Sequence, residues 1–141
     1  MNTKSVRTMI TVVGLTVSFA AASFAQDTLK AVVGFPFVAQ GTKLAAGTYT
    51  ISPIKVSGGS VVYTVRNIAT NRAIIVSSQV SAMARSTDSR APKLSFLCAE
   101  GEYCALKQVS DGTGRINEIA IPGKRGVSNE ASVTEIALTR R

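Results

Sequence analysis

The chain has 141 residues and carries 16 Lys and Arg against 8 Asp and Glu, with no histidine and no tryptophan. Without histidine the usual general base, the commonest zinc ligand and the Ser-His and Cys-His nucleophile pairs are all missing, which argues against an enzyme and against a metal or cofactor site. The basic excess is read as dispersed charge for solubility, unless it converges into a patch that attracts anionic partners.

Residues 1–25 read as a secretory signal peptide. Lys4 and Arg7 form the basic n-region, residues 9–22 the apolar stretch, and Ser23-Phe24-Ala25 the small-x-small cleavage site before Gln26. Retention as an uncleaved anchor is the alternative, but the stretch ending at Ala25 is interrupted by hydroxyl residues and is marginal against the about twenty apolar residues a membrane span needs. A lipid anchor would require cysteine after the cleavage site, where Gln26 and Asp27 stand. The expectation is therefore an exported protein, periplasmic or extracellular. Cleavage leaves 116 residues, with 14 basic and 8 acidic side chains and a formal charge of +6. That is the size of one compact domain, residues 26–141.

From Leu29 the odd positions Leu29, Ala31, Val33, Phe35 and Phe37 are apolar, the period-two signal of a strand with one buried face. Pro36 has no N–H to donate, which places this strand at an edge or at a bulge. A turn at Gln40-Gly41-Thr42-Lys43 and a bend at Ala46-Gly47 lead to a strand over 48–56, with Tyr49 and Ile51 inward. Ser57-Gly58-Gly59-Ser60 reads as a hairpin turn. Val61, Tyr63 and Val65 alternate with Thr64 and Arg66 in the next strand; residues 69–72 turn the chain into a strand over 73–83, where Ile74, Val76 and Val80 share a face. Residues 85–92 lack periodicity and read as an exposed loop.

Strands over 93–99 and 103–110 follow as a hairpin. If Glu100-Gly101-Glu102 is its loop, Cys98 stands opposite Cys104, Phe96 opposite Leu106 and Ser95 opposite Lys107. Directly opposed cysteines are close enough for a disulfide, which an oxidising compartment permits. So small a ring is worth about 2 kcal/mol by loop entropy, a structural staple; the spacing is not the C-x-x-C of a redox centre. Asp111-Gly112-Thr113-Gly114 lacks the further carboxylates of a calcium loop and the lysine of a P-loop and reads as a turn. Beyond it, residues 115–141 fit strand or helix, with a closing strand favoured near Ile136 and Leu138. The fold class expected is all-β, a small single-domain barrel or sandwich of about seven strands.

Arg85, Arg90 and Lys93 around one loop, with Lys124, Arg125, Arg140 and Arg141 near the end, would attract anionic partners if they converge, and Arg85, Arg90, Lys93, Lys124 and Arg125 are the candidate anion-binding residues. Few exposed aromatics accompany them, so nucleic acid is not expected as a partner. Without aromatic girdles a transmembrane barrel is not expected either, and contact with a membrane would be peripheral. Glu100 and Glu102 at the hairpin tip read as solvated charges.

The run Val33-Gly34-Phe35-Pro36-Phe37-Val38, with Leu44-Ala45-Ala46-Gly47-Thr48-Tyr49 after it, resembles a group of uncharacterised small exported bacterial β-proteins that share an F-x-F strand and an L-P-A-G-x-Y bend. Ala45 stands where that pattern has Pro, and the segment after Gly114 does not match it. The resemblance implies export and a small β fold and carries no activity. Phe35, Phe37, Leu44, Gly47 and Tyr49 are accordingly read as a folding motif. Two functional readings follow: a non-enzymatic structural or interaction domain of the cell envelope, docking an envelope or extracellular protein or polymer at an exposed strand edge near Pro36 or at a loop surface; or a carrier holding an apolar ligand inside a barrel. A binder of anionic envelope polymers is a further alternative.

Overall fold

The computed structural model describes residues 28–54, 59–83, 90–122 and 131–140, so residues 1–25, read above as a signal peptide, lie outside it. Eleven strands fill these residues: β1 (Leu29–Val33), β2 (Phe37–Ala39), β3 (Thr42–Leu44), β4 (Gly47–Ile54), β5 (Ser60–Asn67), β6 (Ala73–Met83), β7 (Lys93–Cys98), β8 (Cys104–Ser110), β9 (Arg115–Ile119), β10 (Ser132–Ala137) and β11 (Thr139–Arg140). The all-β class holds. Among the described residues no helix is long and apolar enough to cross a membrane, which says nothing of strands.

The strands form one mixed sheet in the order β10-β7-β8-β9-β6-β5-β4-β1-β11, with β2 between β3 and β8. Only β2 and β8 run parallel, Phe37 beside Cys104 and Val38 beside Ala105. The expected barrel is not formed, because the ladder never closes. Its terminal strands, β10 and β11, are successive pieces of one segment that pair in different directions, β10 with β7 and β11 with β1. Between them Leu138 is buried, and its N–H donates to the Pro92 carbonyl at 2.9 Å. The four strands beyond the expected seven arise at this break, at the break between β1 and β2, at β3, and at β9, where the ambiguous residues 115–119 prove extended.

β1 buries Leu29, Ala31 and Val33 and exposes Lys30 and Val32, as its alternation requires. Pro36 does not mark an edge. It sits in the corner where the chain leaves the β1–β4 ladder, and the strand it opens, β2, is paired on both sides. Gln40 and Gly41, at φ 46° and 83°, make the two-residue turn between β2 and β3. Positive φ at both positions matches the twist of the strands, so Thr42 and Lys43 belong to β3 and not to the turn.

The β7–β8 register is as expected at Phe96–Leu106 and Leu97–Ala105, and it shifts beyond them: Ser95 faces Gln108, not Lys107. Lys107 is the extra residue of a bulge. Strict alternation would turn Val109 to solvent; the bulge restores it to the interior with Leu106, both at most 1% exposed.

The interior is filled by Phe37, Tyr49, Tyr63, Phe96, Leu29, Ile51, Leu94, Leu106, Val76 and Val109, each under 2% exposed. Space for an apolar ligand inside the sheet is taken by side chains. Phe96 packs edge-on against both Phe35 and Phe37, with centroids 5.2 Å apart in each pair. Replacing Phe96 by Ala removes both contacts and leaves a cavity, and we expect a loss of about 3–5 kcal/mol in urea unfolding; a loss below about 1 kcal/mol would mean the cluster does not hold the fold.

Candidate functional site

The motif residues converge on one corner. Phe35 and Phe37 flank Phe96, Phe37 stacks edge-on against Tyr49 at 5.3 Å, and Leu44 packs against the same core. The Tyr49 hydroxyl donates to the Ala45 carbonyl at 2.6 Å and thereby closes the bend from its far side. Gly47 is required by a close approach: a Cβ there would lie 2.9 Å from Nδ2 of Asn67. Asn67 in turn orders the β5–β6 turn, because its Oδ1 accepts from the N–H groups of Ala69 (2.9 Å) and Thr70 (3.1 Å). This constellation holds two turns together and presents no reactive group.

Cys98 and Cys104 are joined by a disulfide at the end of the β7–β8 hairpin. Because Cys104 is also the parallel neighbour of Phe37, the bridge fixes the strand end on which β2 rests. Beyond it Tyr103 is half exposed, with the Lys43 ammonium 5.0 Å from its ring centre.

The candidate anion-binding residues do not form one cluster. Arg85, Lys124 and Arg125 lie outside the described residues. Lys93 is occupied by Glu135, at 2.8 Å. Arg90 lies against Gly114 at the β8–β9 turn, where Arg140, which the sequence reading grouped with it, lies against Gly112; Arg141 is outside the described residues. The segment carrying residues 124 and 125 joins the end of β9 to the start of β10, and Ser132 pairs with Cys98, the opposite end of β7 from Lys93.

A polar network crosses the interior beneath that turn. The Tyr63 hydroxyl accepts from Nδ2 of Asn117 (2.8 Å) and donates to Oδ2 of Asp111 (3.4 Å), while Oδ1 of Asp111 accepts from the N–H and hydroxyl of Thr113 (3.0 and 2.6 Å). Burial, reinforced by the Asp111 charge, raises the Tyr63 hydroxyl well above its ordinary pKa of 10.0.

A groove of about 630 Å³ opens beside β6. Ser60 and Val62 of β5, Ser77 and Gln79 of β6, Glu118 of β9 and Lys107 of β8 form part of its wall, with Gln40 at its rim. The Gln40 amide behaves as a piece of strand: Nε2 donates to the Ser77 carbonyl (2.9 Å) and Oε1 accepts from the Ser77 N–H (3.2 Å). The β6–β9 register stops at Ser78 opposite Ile119, so Gln40 occupies the next ladder position. Past it, Ile75 is 65% exposed and no described strand pairs with that side of β6. The sequence marked Gln40 only as a turn residue, since nothing local reveals which backbone a glutamine will reach. Among the described residues no group of three or more His, Cys, Asp or Glu is placed to hold a metal.

No family model, no curated protein and no solved structure matches the chain.

Two consequences are measurable. Gly47→Ala drives a methyl into the Asn67 amide and should cost about 1–3 kcal/mol, whereas in an Asn67→Ala background it should cost clearly less; equal costs in both backgrounds would show that the two residues act independently. Tyr63 keeps its proton in the folded chain to higher pH than in the unfolded chain, so the unfolded state binds fewer protons above pH 10.0. Stability should therefore fall as pH rises above that value, until the folded-state pKa is passed. Tyr63→Phe should flatten this part of the denaturation profile, and an unchanged slope would remove Tyr63 as its source.

Proposed function

We propose that this chain is an exported, non-enzymatic interaction domain of the bacterial cell envelope, and that it binds an extended segment of a partner protein along the free side of β6. The observation that carries the reading is the Gln40 amide seated on Ser77. It ends the ladder by imitation of a strand, and beyond it the edge continues without a neighbour among the described residues. In an antiparallel sheet alternate residues direct both backbone groups to the same side, so Ala73 and Ile75 direct theirs as Ser77 does, away from β5. An added strand would find these donors and acceptors, with the exposed Ile75 side chain and the adjoining groove to select its side chains. The signal-peptide pattern supports export, as does a disulfide of the kind that persists in oxidising compartments.

A photo-crosslinking residue at position 75, introduced into the full chain in its own cells, should yield a discrete protein adduct, while the same residue at Val133, also exposed but on β10, should not. Ile75→Pro removes the edge N–H but no bond to β5, and should abolish complex formation at an unchanged disulfide and circular dichroism spectrum. No adduct at 75, or identical adducts at 75 and 133, would refute the docking edge.

A further inference from the structure

We infer that the β8–β9 turn carries a phosphate-binding site formed by Arg90, Arg115 and Arg140, whose natural ligand is the headgroup of an anionic phospholipid. The three residues come from distant parts of the chain. Arg140 is delivered by β11 through its pairing with Leu29, Arg90 stands three residues before β7, and Arg115 opens β9 opposite Met83. They come together at one turn, where Arg140 lies against Gly112, Arg90 lies against Gly114 and Arg115 follows directly after it. A Cβ at Gly112 would stand 3.5 Å from Nη2 of Arg140, and one at Gly114 would stand 3.8 Å from Nε of Arg90. Both glycines have φ near +85°, at 85° and 87°, a conformation that disfavours other residues, while the distances to the arginines are those of ordinary contact.

What distinguishes this cluster is the gathering of three cations at one turn with no carboxylate within ion-pair distance among the described residues. Lys93 has Glu135, Arg66 has the Asn71 side chain and Lys43 has the Tyr103 ring, but none of the three arginines has a carboxylate partner among the described residues. The acid in the turn, Asp111, is half-buried and engaged within the chain: its oxygens accept from the Thr113 N–H and hydroxyl and from the Tyr63 hydroxyl. It lowers the positive potential of the patch without neutralising it. Convergent guanidinium groups without an anion repel one another, and an anion that accepts several N–H donors relieves that repulsion. Phosphate, with more acceptor oxygens than a carboxylate and a geometry that matches the guanidinium fork, is the ligand class these residues suit. Met83, 63% exposed and paired with Arg115, places an apolar side chain beside the charge, as a surface that meets lipid headgroups does. The site shares none of its three arginines with the groove beside β6 and stands or falls apart from it.

The test uses the exported chain with sedimentation on vesicles of phosphatidylglycerol in phosphatidylcholine, vesicles of phosphatidylcholine alone, and nuclear magnetic resonance of the arginine Nε–H signals during titration with inorganic phosphate. The expected result is binding to the anionic vesicles, with Arg90 and Arg140 signals shifted by phosphate. The double variant Arg90→Gln/Arg140→Gln should bind those vesicles about tenfold or more weakly. A control with the same loss of charge elsewhere, Lys43→Gln/Arg66→Gln, should stay within about threefold of the parent. Phosphate shifts without vesicle binding would keep the phosphate site and overturn the lipid source. An equal loss in both variants, or no shift at either arginine, would reduce the effect to net charge and overturn the site.

Discussion

The corner at Gly34-Phe35-Pro36 is the constraint on which the rest of this fold depends. There one chain leaves the ladder with β4 and enters a second ladder between β3 and β8, so strands from distant parts of the sheet path are tied by a three-residue connection. Such a crossing is held only if the side chains around it are anchored. Phe35 and Phe37 supply the anchor by packing edge-on against Phe96 of β7, and Phe37 also meets Tyr49 of β4. Each such pair adds about 0.5–1.5 kcal/mol beyond the burial of its area, and together they join three parts of the sheet through one cluster.

Other features serve the same corner. The disulfide closes the hairpin whose strand receives β2, so the covalent bridge and the parallel pairing reinforce each other. The bend after Leu44 is closed by the Tyr49 hydroxyl, and Gly47 leaves space for Asn67, which orders the turn between β5 and β6. Thus a small domain, with limited surface to bury, uses the same few side chains for packing and for backbone closure.

The sheet remains open, and its openness is where interaction is expected. A closed barrel would leave no unpaired strand side; here Gln40 caps one ladder position of β6 and leaves the remainder of that side free. Natural sheets usually protect such edges with charge, proline or irregularity, and Ile75 offers none of these. At another place on the molecule, Arg90 and Arg140 lie against the two glycines of one turn, Arg140 being delivered there because the last residues of the chain pair with its first strand.

Much of this was legible in the residues. The alternation of Leu29, Ala31 and Val33, the inward Tyr49, Ile51 and Tyr63, the extent of β6 and the opposition of Cys98 to Cys104 all follow from period-two patterning and turn chemistry, which are local. The bulge at Lys107 was not, because it answers a need to bury Val109 that exists only once β8 has neighbours on both sides. Nor was the open path, since Leu138 breaks the last strand to reach the Pro92 carbonyl, a partner set by packing. The sites divide in the same way: the sequence by itself determined an all-β chain, its paired cysteines and a surplus of basic residues. Which arginines share a turn, and that part of one side of β6 stays free, was decided by the tertiary structure alone, because both depend on strand pairings between residues far apart in the chain, which no local pattern encodes.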